Sequence, residues 1–174
     1  MHEETSRWRK AVHGMALHME RDTYPAVSLA ALRRLDVEQC DASAFWFLLE
    51  EHAPDAFGSP AAERALAVTV NGMAIAFPFH GSETRRSLGT ALADCSVKEM
   101  RLLRLLRSDR GDLPGEVRRL ARLMASKGED GRFDWYGIFA LAFYRERADK
   151  IRRDIAKDYY RQEFHKQKAE EKAA

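Results

Sequence analysis

The stretch Arg101-Leu102-Leu103-Arg104-Leu105-Leu106-Arg107-Ser108-Asp109-Arg110 decides the fold. Placed at about 100° per residue with Arg101 at zero, Leu102, Leu103, Leu105 and Leu106 occupy an arc from about 40° to 200°. Arg104, Arg107 and Arg110 fall at about 300°, 240° and 180° on the same wheel. Leucines face a core and arginines line one edge of it. Just upstream, Ser96-Val97-Lys98-Glu99 has the capping-box pattern, in which Ser accepts from the N3 amide and Glu reaches back, so a helix is predicted over about 97–108. Downstream, the turn GDLPG at 111–115 leads into a second helix, predicted over about 116–126, that repeats the arrangement. Val117, Leu120, Leu123 and Met124 fall on one side and Arg118, Arg119 and Arg122 on the other.

The rest of the chain has the same helical spacing. Trp8, Ala11, Val12, Met15 and Met19 give a first helix, which Tyr24-Pro25 breaks. Leu29, Leu32 and Leu35 mark a short second helix carrying Arg33-Arg34, and a third begins near Ser43 with Phe45, Trp46, Leu48 and Leu49. Pro54 and Gly58 end it. Ser59-Pro60 is a helix start, because proline at the first helical position lacks only an N–H that would have been orphaned. Leu66, Val70, Met73 and Phe77 form the stripe that follows, although its inner segment AVTVNG also fits a strand. Residues 79–86 (FHGSETRR) are predicted as an exposed loop, and Ser87-Leu88-Gly89 opens a short helix. Asp134 is placed as the cap of one long last helix with Trp135, Phe139, Phe143, Ile151, Ile155 and Tyr159 inward. The expectation is an all-α, compact helical bundle of about seven to nine helices in two packed lobes. An N-terminal lobe spans 1–86 and a C-terminal lobe with the Arg-rich helices spans 87–174, with a charged tail expected to fray after about 161.

Composition bounds the function. With 174 residues, 45% of them hydrophobic, the chain can bury a core. No apolar run approaches the ~20 residues that cross a bilayer, and MHEETSRWRK has no signal-peptide apolar segment, so the expected location is cytoplasmic. The net charge of +2 names no partner, but its distribution does. Residues 1–87 carry 9 basic and 12 acidic side chains, and residues 88–174 carry 20 and 15. Between 101 and 122 stand seven arginines and no lysine, against Asp109, Asp112 and Glu116 only. Such an all-arginine choice suits planar, bidentate recognition of phosphate. Trp46 and Trp135 lie within apolar stripes and are placed in the core rather than on a base-stacking surface.

Signatures of catalysis are missing. The chain has no GxSxG, GxxxxGK[ST], HExxH or GxGxxG, and the adjacent acids Glu50-Glu51 and Glu129-Asp130 fit solvated charge at helix ends. Cys40 and Cys95 are isolated and outside any zinc-finger spacing. His13 and His18 are five apart, not the four that aim two imidazoles at one ion, and His52, His80 and His165 are scattered. No catalytic residue, metal site or cofactor is predicted.

Several features in order resemble one family. They are Arg33-Arg34 followed by Ala44-Phe45-Trp46, then Ser87-Leu88-Gly89 with Ala91-Leu92, then the 101–110 block, then Val117-Arg118-Arg119-Leu120 and Asp134-Trp135. Over roughly residues 30–160 this resembles the CasB family, the small subunit of the type I-E CRISPR surveillance complex Cascade. The resemblance implies an all-α, non-enzymatic subunit present in two copies. It would contact its own second copy, the backbone and large subunits, and the crRNA-guided target DNA and displaced strand of the R-loop in antiviral defence, with no membrane involved. By position it implies that Arg33, Arg34, Arg101, Arg107, Arg110, Arg118 and Arg119 contact nucleic acid. Arg104 and Arg122 join them on helix geometry alone. Phe143-Tyr144 depart from the family pattern, where tryptophan is common, and the tail beyond Tyr160 is longer and more charged. The alternative is a helical scaffold that binds acidic protein partners without nucleic acid.

Overall fold

Serine at 59 and proline at 60 start the helix around which the others assemble. The Ser59 side chain accepts from the Ala62 N–H, and the helix α4 then runs Pro60–Ala76; numbering follows the chain. A computed structural model gives this architecture for residues 2–81 and 85–173. Before α4 come α1 (His2–Glu20), α2 (Ala26–Arg34) and α3 (Ser43–His52), with a short 3-10 turn at Pro54–Ala56. After it come α5 (Leu88–Asp94), α6 (Glu99–Arg107), α7 (Leu113–Ala125), a 3-10 turn at Gly128–Gly131, α8 (Tyr136–Phe143) and α9 (Ala148–Ala173). The fold is all-α, with no strand among the described residues. Of the expected loop at 79–86, residues 82–84 lie outside the described residues.

The segment AVTVNG is helical, and its ambiguity has a physical cause. Residues 65–74 of α4 are all buried, because α1, α2, α7 and α8 surround it. A helix covered on every side has no polar face, so its period does not show. Since α4 touches α7 and α8 as well as its own neighbours in sequence, buried residues from both halves of the chain form one cluster.

Four boundaries differ from the sequence reading. The capping box at Ser96 does not form: Ser96 has φ +53, in the left-handed region, and α6 begins at Glu99 with no side-chain cap. α7 starts inside the expected turn, at Leu113, because Pro114 occupies a first-turn position where its missing N–H is harmless. The single long last helix is two. Asp134 does accept from the Tyr136 N–H at 2.9 Å, but α8 stops at Phe143. The turn over 144–147 keeps α8 against α4 and lets α9 run along α5. The charged stretch beyond Arg161 continues as helix to Ala173, held by Gln162 on Asp94 at 2.6 Å and by Lys166 Nζ on the Ala93 carbonyl at 2.9 Å. That lysine sits at the C-terminal end of α5, where a cation meets unpaired carbonyls.

Trp135 is buried, and Trp46 is half-buried with its indole N–H on the Cys40 carbonyl at 2.8 Å. Cys40 and Cys95 are both buried free thiols whose pKa burial raises, Cys40 to about 11. No helix among the described residues is long and apolar enough to cross a membrane.

Candidate nucleic-acid interface

Helix α2 ends on Arg33-Arg34 and leaves carbonyls that need donors. The buried Asn71 of α4 supplies two: its Nδ2 donates to the carbonyls of Leu32 at 2.7 Å and Arg33 at 3.1 Å. Arg118 of α7 completes the knot, with Nε donating to Asn71 Oδ1 and Nη2 to the Leu35 carbonyl, both at 2.8 Å. Arg33 is exposed, yet its Nε donates to the Ala74 carbonyl at 2.8 Å. Arg33 and Arg118 therefore join three helices, and Arg34 beside them is exposed without a side-chain partner among the described residues.

On α6 the wheel read from sequence holds for three of its four leucines. Leu102, Leu105 and Leu106 are buried and Arg101, Arg104 and Arg107 are exposed, whereas Leu103 is half-buried and lines the arginine side. None of these three arginines has an ion pair or side-chain hydrogen bond among the described residues, and neither has the exposed Arg122 on α7. Arg104 and Arg107 share a depression of about 320 Å³ with Asp112 and Glu116 at the start of α7. Glu116 in turn accepts from Arg119 Nη2 at 2.8 Å, which raises the pKa of that exposed guanidinium. α6 and the first turns of α7 thus form one arginine-edged surface.

Arg110 leaves that surface for another. It is half-buried, and burial lowers its pKa, followed by the charges of Arg145 and Arg64, with only Glu38 acting the other way. Arg110 and Arg145 line two adjoining depressions, one of about 400 Å³ that includes Arg152 and one of about 780 Å³ that includes Arg64. Arg64 donates to Glu38 at 2.7 Å and to the Arg110 carbonyl at 2.7 Å, and the hydrogen bond from Arg64 holds the Glu38 carboxyl below its usual pKa. Arg64, Arg110 and Arg145 share the larger depression with the carboxylates of Glu38 and Glu63. Sequence reasoning missed Arg64, Arg145 and Arg152. Arg64 stands on a buried helix and Arg145 in a helix break, so no periodic signal marks either.

Among the described residues, one group has donor atoms close enough for a single metal ion: His18 of α1 with Glu51 and His52 of α3. His52 has its pKa lowered, chiefly by burial. The sequence spacing gave no sign of this group, because His18 and His52 are 34 positions apart and come together only through packing of α1 on α3.

The chain is thus an all-α protein that leaves Arg101, Arg104 and Arg107 of α6 and Arg122 of α7 exposed and without a side-chain partner among the described residues. Residues 28–160 match the family described as CRISPR-associated protein Cse2, and the chain belongs to that family, the small subunit (CasB) of type I-E Cascade. No curated protein and no solved structure matches the chain.

Proposed function

We propose that this Cascade subunit is non-catalytic and steadies the target and displaced DNA strands of the R-loop by neutralising their phosphates. It would work in the cytoplasm beside the backbone and large subunits and a second copy of itself. The observation that carries this reading is the row Arg101, Arg104 and Arg107 on α6, together with Arg122 on α7, all exposed and without an ion pair among the described residues. A solvated helix face normally pairs part of its charge at i, i+3 or i, i+4, and these four stay available. Opening an R-loop is a near-balanced exchange of one duplex for another, so a few phosphate contacts are enough to tip it. Arg34 and Arg119 extend the surface in this reading and Arg110 adds a contact from the separate depressions it lines, while Arg33 and Arg118 hold the end of α2 in place through the knot.

The test is Arg101→Ala combined with Arg107→Ala in the complex assembled with guide RNA. R-loop formation should weaken, and the slope of log affinity against log salt should flatten by about one unit per lost contact. Unchanged affinity and slope would reduce the row to a solvated face. If assembly of the complex were lost instead, the arginines would be binding an acidic protein surface.

A further inference from the structure

His18 stands in the last turn of α1, and Glu51 and His52 in the last turn of α3. Their donor atoms form a closed triangle. His18 Nδ1 is 3.0 Å from His52 Nε2 and 3.2 Å from Glu51 Oε1, and that same Oε1 is 3.7 Å from His52 Nε2. A tetrahedral ion bound at roughly 2.0–2.1 Å by imidazole nitrogen and carboxylate oxygen sets its ligand atoms about 3.3 Å apart. The three edges bracket that value. Two of the edges are also within hydrogen-bond distance, and the third, at 3.7 Å, is not.

Other features of the place favour a cation. The C-terminal turns of both helices meet here, and each brings partial negative charge from unpaired carbonyls. Two neutral imidazoles and one carboxylate add a single negative charge. The rings are fixed: that of His18 sits edge-on to Tyr24, and the two imidazoles are mutually perpendicular at 86°. Gly14 makes room for the second, since a Cβ there would stand 2.7 Å from His52 Nδ1. Arg21 Nη1 reaches the same Glu51 Oε1 at 3.5 Å, so an entering ion takes that oxygen from the guanidinium. Glu51 keeps about half its surface exposed, at 47%, so an ion can enter and a water can take the fourth position.

We propose that His18, Glu51 and His52 form a three-ligand site for a zinc-class divalent ion that clips the end of α1 to the end of α3. A donor set of two nitrogens and one oxygen selects Zn²⁺ and its borderline neighbours, and discriminates against Mg²⁺ and Ca²⁺, which take oxygen. The site belongs to α1 and α3 and is independent of the arginine surface on α6 and α7.

The test uses the untagged full chain, stripped with a chelator and titrated with Zn²⁺ or Mg²⁺ by calorimetry, with thermal unfolding measured alongside. One Zn²⁺ should bind per chain and raise the melting temperature, and Mg²⁺ should do neither. His52→Asn should weaken Zn²⁺ by about tenfold or more, since even the loss of an outer-shell partner costs that much. The double variant His13→Asn, His165→Asn should bind as the parent does. If His52→Asn does not fold, Glu51→Gln, at an exposed position, carries the same expectation, with circular dichroism as the check on folding. The proposal is overturned if Zn²⁺ does not saturate at one per chain, or if it binds the His18, Glu51 and His52 variants as tightly as the parent.

Discussion

His80 has no exposed surface, lies against the Phe77 ring at 5.6 Å, and donates from Nε2 to the Ala16 carbonyl at 2.9 Å. Burial lowers its pKa below the ordinary 6.5; the Ala16 bond and the nearby Glu20 pull it up and Arg132 pushes it down, without reversing the effect of burial. In the unfolded chain the imidazole takes its proton near its ordinary pKa, while in the folded chain it resists. Above pH 6.5 the contribution of His80 is constant, and as pH falls below 6.5 the unfolded state gains protons first and stability declines. One such group gives a slope of at most about 1.4 kcal/mol per pH unit. His80→Gln should remove that share of the slope, read as the difference in urea unfolding free energy between pH 7.5 and 5.5 in parent and variant. An identical pH dependence in the two would mean that His80 titrates as if it were exposed. The sequence placed this histidine in an exposed loop because polar residues follow from Ser82 to Arg86, whereas its partner lies 64 positions away. Arg118 is the same kind of case. Its helix edge was legible, but its partner Asn71, 47 positions back, was not.

Helices α5 and α9 cross so closely that position 89 admits only glycine. A Cβ at Gly89 would meet the Ile155 carbonyl at 2.2 Å and the Tyr159 amide at 2.8 Å, both of them backbone. Backbone of a helix cannot swing aside as a side-chain tip can, so Gly89→Ala must separate the pair. That strains the contacts of Ile155 and Tyr159, including the Tyr159 hydroxyl donating to the Val97 carbonyl at 2.7 Å. Overpacking of this kind costs about 1–3 kcal/mol, and at this chain length each kcal/mol lowers the melting temperature by about 2–4 °C. Thermal unfolding of Gly89→Ala checks it, and a melting temperature equal to the parent's would overturn the requirement for glycine at this crossing. At this scale the sequence was most legible where one helix face is wet. The leucine edge of α6 follows its wheel at Leu102, Leu105 and Leu106, and α1 buries Trp8, Ala11, Val12, Met15 and Met19 as their spacing implies. Legibility failed where tertiary packing sets a boundary. Ser96 turns left-handed before α6 instead of capping it, and the break after Phe143 serves the course of α9 rather than any local breaker.

Across the whole molecule, the arginines divide into two uses. Some guanidinium groups tie the fold together: Arg118 satisfies Asn71 and the end of α2, and Arg64 bonds to Glu38 and the Arg110 carbonyl. Others, on α6 and at the end of α7, have no such partner among the described residues. Composition counts both alike, so the charge pattern could not tell the bonded arginines from the unpaired ones. The two groups should separate by experiment. Arg118→Ala leaves the Asn71 amide oxygen and the Leu35 carbonyl without their donor, a loss of about 2–3 kcal/mol in unfolding free energy. The triple variant Arg101→Ala, Arg104→Ala, Arg107→Ala removes exposed side chains and should stay within about 0.5 kcal/mol of the parent. In the assembled complex the order reverses. The triple variant should lose most of the salt-dependent part of DNA binding, and Arg118→Ala, measured well below its melting temperature, should lose little. If the triple variant proved the unstable one, the α6 arginines would be structural and the polyanion surface would have to lie elsewhere, with the cluster of Arg64, Arg110 and Arg145 the next place to test.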